Sequence, residues 1–319
     1  MALRKMNLQS LPRFGESWSF LYVEKCIIER EQNCITLTDT RGRVAVPTAA
    51  LSCLLLGPGT NLTSAAVELL AANGTSMVWT GEAGVRCYAA GLGETRRAGN
   101  LLKQLEAWAN PRERLEVCKR MYRVRFDNEE LDPNLTLEQL RGKEGVRVRT
   151  AYESYSKMFG VKWEGRFYKA QHWASADPIN RAISTANACL HGLVHAALVS
   201  TGFSPAIGFV HTGKALSFVY DIADLYKMDI TVPAAFQLIG SNVKEEPDRR
   251  MRLACRDRFR ETKLLERILP DVQRVLGMRA DVAKLYDHSE DAPADSRLWD
   301  PTTGEVLGGQ NHGEPEGQP

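Results

Sequence analysis

The sequence lacks the patterns that announce most small folds and most common chemistries. Its seven cysteines (Cys26, Cys34, Cys53, Cys87, Cys118, Cys189 and Cys255) are odd in number, widely scattered and without a C-x-x-C pair. Buried free thiols are therefore expected, rather than a disulfide framework or a zinc knuckle. The opening "MALRKMNLQSLPRFGESW" has no apolar stretch leading to a small-residue cleavage site, and no later run reads as a membrane span of roughly 18 apolar residues. A cytoplasmic protein is the expectation. "GPGTNLTS" lacks the Gly-Lys-Ser/Thr of a P-loop, and "GLGETRRAG" has no dinucleotide-fold context. His191 and His195 stand as H-x-x-x-H, but Gly192 follows the first histidine, so the glutamate of a metalloprotease is missing. There is no G-x-S-x-G elbow and no internal repeat.

What is present is a chain of 319 residues, 44% hydrophobic and 25% charged, enough for one or two domains with a sizeable core. The net charge of +2 averages unlike regions. Residues 96–125 carry nine Lys/Arg against three Asp/Glu, and residues 141–169 and 249–267 each carry eight against three. Residues 270–319 hold ten acids and four bases. Arginine dominates the basic segments and is interleaved with Trp108, Tyr122, Trp163 and Tyr168, a pattern that suits phosphate, which guanidinium pairs bidentately. Solvated helix faces would look the same by charge alone.

The fold class is expected to be α+β, with a small β-rich domain over residues 1–93, a larger all-helical domain over 94–286 and a disordered acidic tail over 287–319. "WSFLYVEKCIIEREQNCITLTDTRGRVAVP" reads as at least three strands with "DTRGR" as a turn; "LTSAAVELLAANG" is a helix stopped at Asn73-Gly74; "TSMVWTG" and "GVRCYAAG" follow as strands. After the Gly-rich "GLGETRRAGN" the pattern turns helical. The clearest helix begins with Asp177 as N-cap and Pro178 in the first turn, and Gly202 lies past its end. Ile179, Ile183, Ala186, Leu190, Leu193 and Ala197 form its apolar stripe, and Asn180, Ser184, Asn187, His191 and His195 form an adjacent polar strip suited to lining a site. The tail "DHSEDAPADSRLWDPTTGEVLGGQNHGEPEGQP" is acidic, Gly/Pro-rich and poor in apolar residues. Leu298 and Trp299 within it could dock on a partner.

The candidate chemistry lies in "HTGKALSFVYDIADLYK". Two apolar arms hinge at Thr212-Gly213-Lys214, His211 ends the first, and "YDIADLYK" reads as a helix on which Asp221 and Asp224, three apart, share a face. Two carboxylates at the edge of a core repel unless a metal or an arginine compensates them, although a helix N-terminus would also favour them. One histidine with carboxylates suits Mn²⁺ or Mg²⁺ better than structural zinc. Glu144 in "RGKEGVRVR" offers another carboxylate, flanked by Arg141, Lys143, Arg147 and Arg149, with which it could equally be ion-paired.

"RGKEGVRVRTAY", "PAIGFVHTGKALSFVYDIADLYK", "EPDRRMRLACRDRFR" and "LLGPGTNLTSAAVELLAANGTSMVWTGEAGVRCYAAG" closely resemble the CRISPR-associated integrase of type I-E systems, over about residues 10–285. The resemblance implies a metal-dependent enzyme that inserts short foreign DNA fragments into a CRISPR array by attack of a 3′-hydroxyl on a repeat phosphodiester. It implies Glu144, His211 and Asp224 as ligands of Mg²⁺ or Mn²⁺, with Asp221 as a further acidic catalytic residue. It further implies supporting places for Lys214, Asn187 and His191, and DNA contacts by Arg86, Arg141, Arg149, Arg249 and Arg252. His191 departs from the family pattern, where tyrosine is often found. The implied partners are double-stranded DNA with 3′-hydroxyl ends, the repeat DNA, a second copy of the chain paired through the first domain, and a small companion protein completing a hetero-hexamer. A branched-DNA endonuclease acting by hydrolysis and a non-catalytic DNA-binding subunit are the alternatives.

Overall fold

The computed structural model describes residues 20–48, 51, 53–82, 87–91, 98–126, 132, 134–166, 177–241, 247–278, 297–302 and 304–307. Residues 16–279 form one compact unit. It opens with β1 (Phe20–Val23), β2 (Ile27–Glu31), β3 (Cys34–Asp39), β4 (Gly42–Pro47), β5 (Cys53–Leu56), β6 (Asn61–Leu62), helix α1 (Ser64–Ala72), β7 (Ser76–Thr80) and β8 (Cys87–Gly91). One sheet has the order β1-β5-β7-β8, with β1, β5 and β7 parallel and β8 antiparallel to β7. The other runs β4-β3-β2-β6, and its β3–β4 hairpin closes Asp39 on Gly42 at the "DTRGR" turn.

The pleat of β5 explains how this part meets the rest. All four residues of "CLLL" are buried, as expected of a strand covered on both faces. Leu54 and Leu56 face a core with α1, Ile28 and Ile35, whereas Cys53 and Leu55 on the opposite face join Val78 in a cluster with Ala196 of a long helix from the second part. Thr63 caps α1 by accepting from the Ala66 N–H, and Asn73 ends it.

The helical part comprises α2 (Gly99–Ala109), α3 (Pro111–Arg125), α4 (Leu137–Phe159), α5 (Pro178–Ser200), α6 (Ser217–Ala223), a π-helical turn (Lys227–Thr231), α7 (Val232–Gly240), α8 (Pro247–Glu261) and α9 (Leu264–Val275). Helix α5 is the spine. Its Ile179, Ile183 and Ala186 pack in a cluster with residues of α7 and α8, and its Leu190, Val194 and Ala197 pack in another with residues of α3, α6 and α9. Each of the buried Ile, Leu and Val side chains among these is worth about 1.5–3 kcal/mol. By length and composition α5 could cross a membrane, contrary to the reading that no segment approaches a span, yet 61% of its apolar window is buried inside the protein. Its Ile, Leu, Val, Cys and Ala residues raise its hydropathy while polar residues interrupt any unbroken apolar run.

Asp177 caps α5 through the Asn180 N–H at 2.8 Å and also accepts from the Asn180 side chain. Asp177→Ala is expected to cost about 1 kcal/mol, read as a lower urea midpoint with an unchanged slope.

All seven cysteines are free, five of them buried. The second unit contains residues 1–15 and 280–319. Its described residues form a hairpin of β9 (Arg297–Asp300) and β10 (Gly304–Leu307), pairing Trp299 with Glu305 and Leu298 with Val306. Residues 297–300 and 304–307 thus form strands within the tail expected to be disordered. The short apolar runs "LW" and "VL" flank Pro301-Thr302-Thr303-Gly304, a composition suited to a turn between strands.

Candidate functional site

His211 sits at the end of an irregular loop that is held from inside. Gln104 on α2 is fully buried: its Nε2 donates to the carbonyls of Ser204 at 3.0 Å and Ile207 at 2.9 Å, and its Oε1 accepts from the Ser204 N–H at 2.8 Å. Arg114 on α3 donates to the Phe209 carbonyl at 3.2 Å. At Gly208 a Cβ would fall 2.3 Å from the His211 carbonyl and 2.7 Å from the Ser217 Cβ, so only glycine admits the loop's close return onto α6. Of the two apolar arms expected around Thr212-Gly213-Lys214, the first is irregular loop and the second leads into α6. The turn itself is there, with Gly213 at φ 80° and the Ser217 hydroxyl accepting from the Lys214 N–H.

Asp221 organises this loop. Its carboxylate is completely buried and accepts from the backbone N–H groups of Phe209 (2.6 Å), Val210 (3.1 Å) and His211 (2.9 Å). Its Oδ1 also lies 2.7 Å from His211 Nδ1. When Nδ1 carries the proton donated to Asp221, the neutral ring presents the Nε2 lone pair on its other side. Nε2 faces Asp224 Oδ2 at 4.0 Å.

The two aspartates, three apart, both reach the His211 ring, and their remaining partners differ. Helix α6 ends at Ala223 with Asp224 as its C-cap, and the chain tightens into turns before the π-helical turn. Asp221 turns back into the loop, while Asp224 pairs with Lys227 Nζ at 2.5 Å and with Arg125 Nη2 at 3.6 Å. Burial pushes the Asp224 carboxyl up, but Lys227, Arg125 and His211 outweigh it and hold it below the usual carboxylate range. Arg125 is 5% exposed, its guanidinium carbon lies 5.1 Å from the Tyr122 ring centroid, and its Nε and Nη2 lack hydrogen-bond partners among the described residues.

Glu144 lies on α4, which starts with a capping box at Thr136 and Gln139 and ends at Gly160 in the left-handed region. Its Oε2 is paired with Arg147 Nε at 3.4 Å, and the Arg147 guanidinium carbon stands 5.6 Å from the Phe126 ring centroid. Among the described residues, no three His, Cys, Asp or Glu side chains converge closely enough to hold a metal ion. The donor set nonetheless fits Mg²⁺ or Mn²⁺ in kind, being an oriented imidazole nitrogen with carboxylates. Asp224 is paired with Lys227 and Arg125, and Glu144 with Arg147.

The polar strip of α5 divides in two. Asn180 and Ser184 are engaged by Arg166 and Asp177, which ties down the segment after α4. Asn187 accepts from Thr231 at 3.2 Å. His191 packs edge-on against Tyr220 at 5.0 Å, and Tyr220 in turn lies 5.9 Å from His211. Burial, reinforced by Lys227, pushes His191 down to about 4, so it is uncharged at neutral pH; burial also lowers His195.

Lys214, Arg141 and Arg149 are exposed. Arg249 and Arg252 on α8 both approach Glu82, at 3.9 and 3.0 Å. Arg86 lies outside the described residues. Gln104, Arg125 and Lys227 are absent from the sequence-based set of site residues. The i,i+3 spacing of Lys227 from Asp224 was a usable signal; Gln104 and Arg125 act across distant chain segments and gave none.

The family model described as "CRISPR associated protein Cas1" matches residues 20–132 and 128–255. The "CRISPR-associated endonuclease Cas1 2" of Thermus thermophilus is 49% identical over 323 residues, covering 98% of this chain and 98% of its own. The "CRISPR-associated endonuclease Cas1" of Escherichia coli is 44% identical over 259 residues, covering 81% of this chain and 84% of its own. A crystal structure of a TtCas1–DNA complex superposes with a TM-score of 0.76 at 51% identity, covering 83% of this chain and 99% of that one. The chain belongs to the Cas1 family of CRISPR-associated proteins.

Proposed function

We propose that the chain is a DNA integrase of the type I-E branch, joining the 3′-hydroxyl of a short foreign DNA fragment to a phosphodiester of the CRISPR repeat. One phosphodiester replaces another, so the reaction needs no external energy source. The observation that carries this reading is the Asp221–His211–Asp224 arrangement, in which a buried carboxylate fixes an imidazole whose Nε2 faces a second carboxylate. Glu144, His211 and Asp224 would hold Mg²⁺ or Mn²⁺, which supplies charge stabilisation to the reacting phosphate. Asp221 orients the ring. Exposed Arg141 and Arg149 on α4, with Arg249 and Arg252 on α8, provide guanidinium groups for phosphate positioning.

DNA binding is supported by the relative solved as a DNA complex. A homodimer working with a small companion protein completes the proposal. A hydrolytic endonuclease is the second reading, favoured by the word endonuclease in the relatives' names.

Purified protein and companion, a short duplex with 3′-hydroxyl ends and a supercoiled plasmid bearing the repeat are to be incubated with Mn²⁺ or Mg²⁺, or with EDTA. Joined products in metal and none in EDTA are expected. Cutting without joining would transfer the assignment to the hydrolytic reading, and joining in EDTA would remove the metal from it.

A further inference from the structure

Both carboxylates implied as metal ligands are already neutralised from within. Asp224 is paired with Lys227 and Arg125, and Glu144 with Arg147. These cations differ in freedom. Arg125 is almost wholly buried, whereas the side chains of Lys227 and Arg147 are 25% and 26% exposed, and those of Asp224 and Glu144 are 22% and 16% exposed. Lys227 and Arg147 can therefore turn outward on long flexible stems, whereas Arg125 is fixed against the Tyr122 ring.

A divalent ion approaching Asp224 or Glu144 meets a cation already in place, so binding to the free protein carries the cost of displacing it. Once displaced, Lys227 and Arg147 would be unpaired cations beside the site. A phosphate oxygen is the partner that restores their charge balance: arginine offers it a planar fork and lysine a mobile ammonium.

We propose that Lys227 and Arg147 are exchangeable counter-ions, holding Asp224 and Glu144 in the free protein and turning to DNA phosphates when a divalent cation takes their place. Metal and DNA then bind with positive coupling, and by linkage each tightens the other by the same factor. This rests on reading Glu144, His211 and Asp224 as the metal ligands. Neither Lys227 nor Arg147 need touch the bond that is made or broken.

The test measures binding, not joining. Full-length protein stripped with EDTA is titrated with Mn²⁺, followed by calorimetry or electron spin resonance, alone and when saturated with a short duplex ending in 3′-dideoxynucleotides. Uptake by the duplex alone is subtracted. The duplex is expected to lower the Mn²⁺ Kd about tenfold or more, within the usual range of coupling between sites. Lys227→Met and Arg147→Met are each expected to tighten Mn²⁺ binding to the free protein and to shrink the duplex effect. Structural damage would weaken binding instead, and Lys227→Gln provides a second variant with circular dichroism as the folding check. A Kd that the duplex leaves unchanged, in a protein whose Mn²⁺ binding His211→Ala abolishes, would overturn the coupling and spare the ligand assignment. Mn²⁺ binding indifferent to His211→Ala would overturn both.

Discussion

Asp221→Ala is expected to lower stability by about 4 kcal/mol and to remove strand joining as well. The carboxylate is completely buried and accepts three backbone N–H groups in addition to facing His211 Nδ1. Truncation leaves the donors of Phe209, Val210 and His211 without their partner in a confined space. Each buried donor so orphaned costs about 1–3 kcal/mol, partly relieved if water enters. A loss above about 4 kcal/mol is rare for one substitution and arises where a buried network breaks, as here. Asp221→Asn is expected to fall between wild type and alanine, because an amide retains one acceptor but points an NH₂ group toward backbone donors. Urea unfolding of the three proteins, with joining measured on the folded fraction, checks both effects. Full stability in Asp221→Ala would show that the loop is held by Gln104 and Arg114 alone.

What the sequence made legible follows the reach of the interactions involved. Helix α5 was readable end to end because its cap, first-turn proline, terminal glycine and apolar stripe are local signals. The "DTRGR" turn and the stop at Asn73 were readable for the same reason. The apolar arm before His211 is buried as its composition implies, but its form is set by non-local contacts: Phe209 packs on Phe218 and its N–H goes to Asp221. Asp221 and Asp224 both reach His211, as their spacing of three predicts, but the loop N–H groups that hold the first and the Arg125 that meets the second are not local to the helix. Contacts across distant segments left no local trace. The Glu82–Arg252 pair spans 170 positions, and Arg125 meets Asp224 only because α3 packs in the same core as α6.

Those differences assign separate work to the two aspartates. Asp221 acts through His211 and through the backbone, so its loss spreads into stability. Asp224 is turned toward Lys227, Arg125 and the His211 ring and, among the described residues, its carboxylate makes no comparable set of backbone bonds. A carboxylate with three buried donors cannot swing to follow a ligand, whereas one held by side-chain cations can exchange them. A spacing of three places both beside His211, one held by backbone donors and the other by side-chain cations.

His211→Ala is expected to show the opposite balance from Asp221→Ala, with joining down at least about a thousandfold and stability within about 1 kcal/mol of wild type. A thousandfold loss corresponds to about 4 kcal/mol of transition-state stabilisation. The His211 side chain is 43% exposed, so its removal leaves no sealed cavity. Its backbone N–H still donates to Asp221 Oδ1, as do those of Phe209 and Val210 to Oδ2, so the buried carboxylate keeps three partners and the loop stays closed. What disappears is the Nε2 atom facing Asp224. DNA affinity is expected to change little in EDTA, because the exposed arginines of α4 and α8 remain. Joining yields, urea midpoints and duplex binding on the same preparations separate these effects. Normal joining by a well-folded His211→Ala protein would place the chemistry elsewhere in the chain, whereas lost joining with a collapsed midpoint would make His211 a structural residue of its loop.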